Sequence, residues 1–387
     1  MHFVMKLSKL CNLRCNYCYE YEDLNNKDRM PLEGLDFFFR NLATYLQSQP
    51  AESRIVNFIL HGGEALLLPH SYLRAFREMQ RKYLDSAGLE YTNGVQSNLV
   101  QISDATLDLL EELDISLGIS FDVFGNQRID IKGKDSQDRV LDNMQRLMDR
   151  NIPFAAIMVL HGANINHVLP TYEFYNDLHI SYRMLPIFSH TNPPPRVEPI
   201  LVSHEETVKA LQEVVKAQFA RPSNIKVLPL WDYFKAAVRY LAGGQKTIYN
   251  PQTEEWAYIV NTNGDVYSHG DAYSADGLMG NIFRQSLTEI RQSAEYKHTI
   301  SVRQSRSENC HSCSFYGYCN QLPIAEAISS ERVYDENGKL ECTIAKPMIQ
   351  FMINQIEQSD SGKLLLNNFD SSSLDSPLDL ENQMIPS

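Results

Sequence analysis

Three cysteines fall within one short stretch near the start of the chain, as Cys11-x3-Cys15-x2-Cys18. They directly follow a β-type run, Phe3–Leu7. Thiolates this close on one loop can each bind one iron of a cubane iron–sulfur cluster, which normally takes four ligands. Three cysteines leave the fourth iron open to an exchangeable ligand. Structural zinc requires four protein ligands, and nothing nearby clearly supplies the fourth. A zinc site or a loop of unpaired thiols is the alternative.

The other four cysteines, Cys310, Cys313, Cys319 and Cys342, form a second group near the end, and the chain has seven in all. An odd count, CxxC-like spacings and the lack of a secretion signal argue against a disulfide framework. Clustered thiolates in a reducing compartment hold metal instead. Four thiolates can close a site completely, either as an iron–sulfur cluster or as a zinc knuckle.

The formal net charge of −13 argues against nucleic acid as a partner, because such proteins carry a basic footprint. No apolar run reaches the ~18 residues that span a bilayer. Met1–Leu7 is too short for a signal peptide. These features predict a cytosolic protein that does not engage a membrane.

Along the first half, β-rich runs alternate with amphipathic ones. The expected strands are Phe3–Leu7, Ile55–Leu60, Glu90–Gln96, Ile115–Phe121, Phe154–Leu160 and Ser181–Pro186. The expected helices between them are Leu32–Gln47, Ser71–Ala87, Asp104–Leu113, Ser136–Arg150 and Asn166–Leu178. Such alternation implies parallel strands with right-handed crossovers. Six units are too few for a closed eight-stranded barrel and predict an open α/β partial barrel. Ligands bind beyond the carboxyl ends of such strands, where the first cysteine group stands. The expected division is a barrel over 1–200, helices at Glu205–Phe219 and Leu230–Leu241 in a bridging region 201–244, and a cysteine-bearing region 245–357. There Asn261–Gly264 reads as a turn between strands Trp256–Val260 and Asp265–Ser268. The Ser- and Asp-rich tail 358–387 is expected to be disordered.

Cys11-x3-Cys15-x-Tyr17-Cys18 resembles the hallmark of the radical S-adenosylmethionine (SAM) superfamily, with Tyr17 at its aromatic position. His61-Gly62-Gly63-Glu64, after the second strand, resembles that family's GGE motif. The resemblance implies a (β/α)6 barrel and a [4Fe–4S] cluster on Cys11, Cys15 and Cys18, with SAM chelating the open iron. It implies that Tyr17 lies beside the adenine and that Gly62, Gly63 and Glu64 bind the SAM ammonium. Polar SAM contacts at the strand ends would come from Asn98 and Ser120, with Arg139 reaching the carboxylate and Leu160 walling the adenine.

The second group resembles the SPASM extension of radical SAM peptide-modifying enzymes. Two departures stand out. After Gly264 and four intervening residues comes His269, and after Cys319 and three intervening residues comes Pro323, where that family carries cysteines. The positions lost belong to the family's first auxiliary cluster. The four retained cysteines match the ligands of its second, so one auxiliary [4Fe–4S] cluster is expected.

Val4-Met5-Lys6, Arg29-Met30-Pro31 and His61-Gly62-Gly63-Glu64 look most like the cyclophane-forming (triceptide) maturases of ribosomally made peptides. This implies an enzyme that uses a 5′-deoxyadenosyl radical to join an aromatic ring to a side-chain β-carbon of a precursor peptide. Its electron donor would be of flavodoxin or ferredoxin type. Asp122 and Asp271 are candidate bases for the ring proton, and the edge near Trp256–Val260 is a candidate docking strand for the peptide. Two alternatives are a radical SAM maturase of another kind, making a thioether or ether or oxidising Ser or Cys as in sulfatase maturation, and a non-catalytic iron–sulfur or zinc protein.

Overall fold

The computed structural model describes residues 1–188, 193–221, 223–252, 257–268, 277–360 and 363. Six parallel strands form its centre: β1 His2–Ser8, β2 Val56–Gly62, β3 Tyr91–Ser97, β4 Ile115–Ser120, β5 Phe154–Leu160 and β6 Tyr182–Pro186. They pair in sequence order, with Phe3 opposite Phe58 and Val4 opposite Ile59. The crossover helices are α1 Leu32–Gln47, α2 His70–Tyr83, α3 Asp104–Glu112, α4 Gln137–Asp149 and α5 Val168–Asp177. Ser103 caps α3 by accepting the Thr106 N–H, which fixes that start.

Side chains alternate across these strands with period two. Phe3, Met5 and Phe58 join the main core. Val4 and Ile59 pack with Ala257 in a separate small cluster on the other face. That second face lines the interior of the partial barrel.

The sheet then extends at both ends. β7, Val227–Leu228, adds in parallel to β6, between α6 His204–Ala220 and α7 Leu230–Leu241. β8, Ala257–Val260, adds in parallel to β1. β9 Asp265–Ser268 and β10 Leu278–Asn281 follow antiparallel, giving a sheet of ten strands among the described residues. Asn261–Gly264 makes the turn between β8 and β9, with Gly264 N–H bonded to Asn261 O. The docking-strand expectation is corrected here. β8 is hydrogen-bonded on both sides, by β1 and β9, so among the described strands the edges are β7 and β10.

The cysteine-bearing region continues through α8 Leu287–Gln292, α9 Ala294–Ser307, α10 Leu322–Ala325 and α11 Ala345–Gln358. α11 packs back on α6 and α7. One hydrophobic core runs from Phe3 to Ile356, so the two regions share both a sheet and a core. No described helix is long and apolar enough to cross a membrane. His269, Asp271 and the tail beyond 363 lie outside the described residues.

Candidate cluster and cofactor site

The loop carrying Cys11, Cys15 and Cys18 leaves β1 and is held on two sides. On one side Gly63 N–H donates to Ser8 O at 2.9 Å and Glu64 N–H to Leu10 O at 2.8 Å. This contact explains the paired glycines. A Cβ on Gly62 would lie 2.0 Å from Ser8 O, and one on Gly63 2.3 Å from Lys9 O. Sequence reasoning gave the glycines to close approach of a ligand. The structure shows that the close approach is to the chain's own segment before Cys11.

On the other side the loop forms a short antiparallel ladder with the segment after β4. Leu13 bridges Asp130, Arg14 N–H donates to Ile129 O at 2.7 Å, and Asn16 N–H donates to Gln127 O at 3.0 Å. This register sets Cys15 opposite Arg128.

All three thiols are free. Burial pushes each up to about 11, and the neighbouring thiols add to this while Arg128 opposes it, most strongly at Cys15. Cys15 raises Cys11, Cys18 raises Cys15, and Cys11 raises Cys18, so the three lie within electrostatic reach of one another. Such a site favours neutral thiols unless a metal centre binds them as thiolates. Leu13 N–H donates to Cys11 Sγ at 3.4 Å, and Asn98 Nδ2 lies 3.7 Å from the same sulfur. Hydrogen bonds of this kind favour sulfur carrying negative charge.

The strand ends supply the polar surroundings. Glu64 is 3% exposed. Its Oε1 accepts the Leu66 N–H at 3.1 Å and its Oε2 the Asn98 N–H at 2.7 Å, while burial raises its pKa. Ser120 Oγ accepts from Gln96 Nε2 at 2.8 Å. The Gln96 Oε1 is buried with no hydrogen-bond partner among the described residues. An orphaned acceptor beside Ser120 suits a bound ligand that brings its own donors, as the SAM ammonium does. Leu160 is fully buried at the end of β5, where its carbonyl accepts the Ile187 N–H.

Three placements depart from expectation. Arg139 sits on the exposed side of α4, 3.1 Å from Asp130, and points away from the interior. A buried cation that does stand beside the cluster loop is Arg128, 9% exposed, whose Nη1 donates to Tyr17 OH at 2.8 Å. Asp122, a candidate base, has both oxygens engaged. Oδ1 accepts the Val159 N–H at 2.8 Å and Oδ2 accepts the Tyr17 OH at 2.5 Å. Asp122 thus anchors Tyr17 in place of standing free. His161, completely buried, sets its ring 5.6 Å from that of Tyr17 in a tilted arrangement, and burial lowers its pKa.

Inside the barrel, Lys6 lies opposite His61 in the β1–β2 register and is ion-paired with Glu20. Burial pushes Lys6 down to about 8. Burial and then Lys6 push His61 down to about 4. Sequence reasoning missed Arg128, His161 and Lys6. The two-residue strand period, which puts Lys6 on the Val4 face, was the available signal for the last.

The second thiol group is assembled from three segments. Glu308–Ser312 forms a short helical turn, after which Cys313 N–H donates to Cys310 O at 2.8 Å. Gln321 N–H donates to Cys319 Sγ at 3.4 Å. Cys342 stands just before α11. All four cysteines line one cavity of 340 Å³, with Pro323 in its wall. Burial, and then the neighbouring thiols, push Cys310 and Cys319 up to about 12. Among the described residues, no three His, Cys, Asp or Glu side chains converge on a single-ion site. Four thiolates spread over a multi-iron cluster have no need to share one ion.

Comparison with known proteins agrees with this geometry. The radical SAM superfamily model matches residues 5–175, and the iron–sulfur cluster-binding SPASM domain model matches residues 253–314. The chain is 25% identical to a serine-type anaerobic sulfatase-maturating enzyme of Bacteroides thetaiotaomicron, over 82% of this chain and 80% of that one. It is 21% identical to a cysteine-type anaerobic sulfatase-maturating enzyme of Clostridium novyi, over 81% and 84%. Among solved structures, native anSMEcpe with bound AdoMet and Cp18Cys peptide superposes with a TM-score of 0.72 at 17% identity, covering 95% of this chain and 99% of that one. These matches imply a SAM-binding [4Fe–4S] cluster and auxiliary clusters, for which the two thiol groups are the candidate ligands. The chain is a radical SAM enzyme that carries a SPASM iron–sulfur cluster-binding domain.

Proposed function

We propose that this enzyme oxidises a side-chain β-carbon of a peptide or protein by two electrons. The observation that carries this reading is similarity over 82% and 81% of the chain to serine- and cysteine-type sulfatase-maturating enzymes. When bound at Cys11, Cys15 and Cys18, the reduced cluster and SAM supply a hydrogen-abstracting oxidant. The residues of the chain position that chemistry and keep water from it. The Tyr17–Asp122–Arg128 network fixes the floor beside the cluster loop. Glu64 and Asn98 hold two strand ends together. Lys6 and His61 give the interior a polar wall. Asp271 is kept as the candidate proton acceptor. The four thiols of Cys310, Cys313, Cys319 and Cys342 would hold one auxiliary cluster that receives the second electron. Electrons would enter from a donor of flavodoxin or ferredoxin type.

Loss of two hydrogens from a serine CH2OH gives an aldehyde directly, whereas loss of two hydrogens from a cysteine CH2SH gives a thioaldehyde that water converts to the aldehyde with release of hydrogen sulfide. The second reading is a bond from that β-carbon to an aromatic ring. It is favoured by His269 and Pro323 standing where the seven-cysteine pattern of sulfatase maturases has ligands. The test is co-expression with the small peptide encoded nearest this gene, followed by mass spectrometry. Either Ser oxidation or crosslinking removes two hydrogens. An aminooxy probe labels only the aldehyde, and fragmentation locates a crosslink. A reduced, SAM-supplied enzyme that changes neither the peptide nor a Ser- or Cys-containing sulfatase segment would end both readings.

A further inference from the structure

The ladder between the cluster loop and the segment after β4 puts one fixed cation against the cluster-binding thiols. Antiparallel partners point to the same face. With Arg14 bonded to Ile129 and Asn16 to Gln127, Cys15 and Arg128 are such partners. Arg128 is 9% exposed. Its Nη1 is held by Tyr17 OH at 2.8 Å, and Tyr17 OH is in turn held by Asp122. Its Nε is buried with no hydrogen-bond partner among the described residues. An arginine cannot shed its charge there, so a positive group is fixed beside Cys15, with a carboxylate one hydroxyl further away.

We propose that Arg128 sets the reduction potential of the cluster on Cys11, Cys15 and Cys18, with Asp122 as the opposing charge and Tyr17 as the spacer between them. This rests on those three cysteines holding the cluster. Reduction adds one negative charge to a centre that already carries three thiolates. A nearby fixed cation stabilises the reduced form and raises the potential, and a nearby anion does the reverse. Net charge and the groups around the sulfurs are the protein's means of tuning such clusters. Arg128 is thus a positioning charge, distinct from any residue that touches the reacting carbon.

The test is a redox titration of the anaerobically reconstituted full-length enzyme, followed by electron paramagnetic resonance. The signal that changes when SAM is added identifies the cluster with the open iron. Arg128→Met should shift the midpoint of that signal to more negative potential, and Arg128→Lys should recover most of the shift. Asp122→Asn should shift it to more positive potential. General damage to the site would not move the two variants in opposite directions. Equal potentials in wild type, Arg128→Met and Asp122→Asn, or shifts of the same sign, overturn the proposal. If Arg128→Met holds no iron, Asp122→Asn alone decides, and no upward shift counts against it. Wild-type protein that binds no SAM-responsive cluster would instead remove the cluster assignment underneath.

Discussion

Asn98, just past the end of β3, donates its backbone N–H at 2.7 Å to the Oε2 of Glu64, just past the end of β2. The other carboxylate oxygen accepts the Leu66 N–H. One buried side chain therefore satisfies two buried backbone donors and closes the seam between two strand ends. Glu64→Ala would leave both donors unpaired, at about 1–3 kcal/mol each. Urea unfolding without SAM should show that loss. Glu64→Gln, which keeps one acceptor oxygen, should lose less. If Glu64→Ala unfolds at the wild-type urea concentration, the carboxylate serves the ligand alone.

Gly62 and Gly63 are constrained by the loop that precedes Cys11. Their added Cβ atoms would meet backbone oxygens of Ser8 and Lys9, which cannot rotate away as a side chain could. Gly62 also has φ of +135°, a conformation L side chains rarely adopt. Overpacking costs about 1–3 kcal/mol, and backbone strain adds roughly 1–3 more. Gly62→Ala and Gly63→Ala should therefore yield less soluble protein and lower iron incorporation at the first site. Normal iron loading with a wild-type unfolding curve would contradict this packing account.

The six central strands and their helices were legible because the amphipathic patterns were strong and local. The cluster loop was legible because its three thiols lie on one continuous segment. Long-range pairing was not. Nothing in Ala257–Val260 announces that it joins β1, which lies at the other end of the sequence. Arg128 was missed because it stands in an irregular segment, and its value comes from pairing with Cys15 across a ladder that only the fold creates. Arg139 was misplaced for a readable reason. The buried positions of α4 are Val140, Asn143, Met144 and Leu147, and a residue one step before Val140 is turned about 100° away from that face.

Arg303 on α9 is 1% exposed, and its Nη1 lies 2.8 Å from Oε1 of Glu326, which directly follows α10. The pair clamps the chain on both sides of Cys310, Cys313 and Cys319. Breaking a buried pair by removing one partner costs about 3–5 kcal/mol, because the other charge is left uncompensated. Glu326→Ala should lower the denaturation midpoint and release iron from the four-cysteine site first. The SAM-responsive signal should survive. Equal loss from both sites would mean that the pair supports the whole core and not this loop.

The two thiol groups should separate cleanly by mutation. With two cubane clusters, the reconstituted enzyme should hold about eight irons, and loss of one site should leave roughly four. Cys15→Ala should abolish reductive cleavage of SAM while the cluster in the 340 Å³ cavity remains. Cys342→Ala should do the reverse, because α11 still packs on α6 and α7 while its cavity loses one of four thiols. That variant should still cleave SAM yet fail to release the finished peptide product, since the second electron has no acceptor. Zinc in place of iron at the second site, with product formation intact in Cys342→Ala, would make that site a structural clamp and remove it from the electron path.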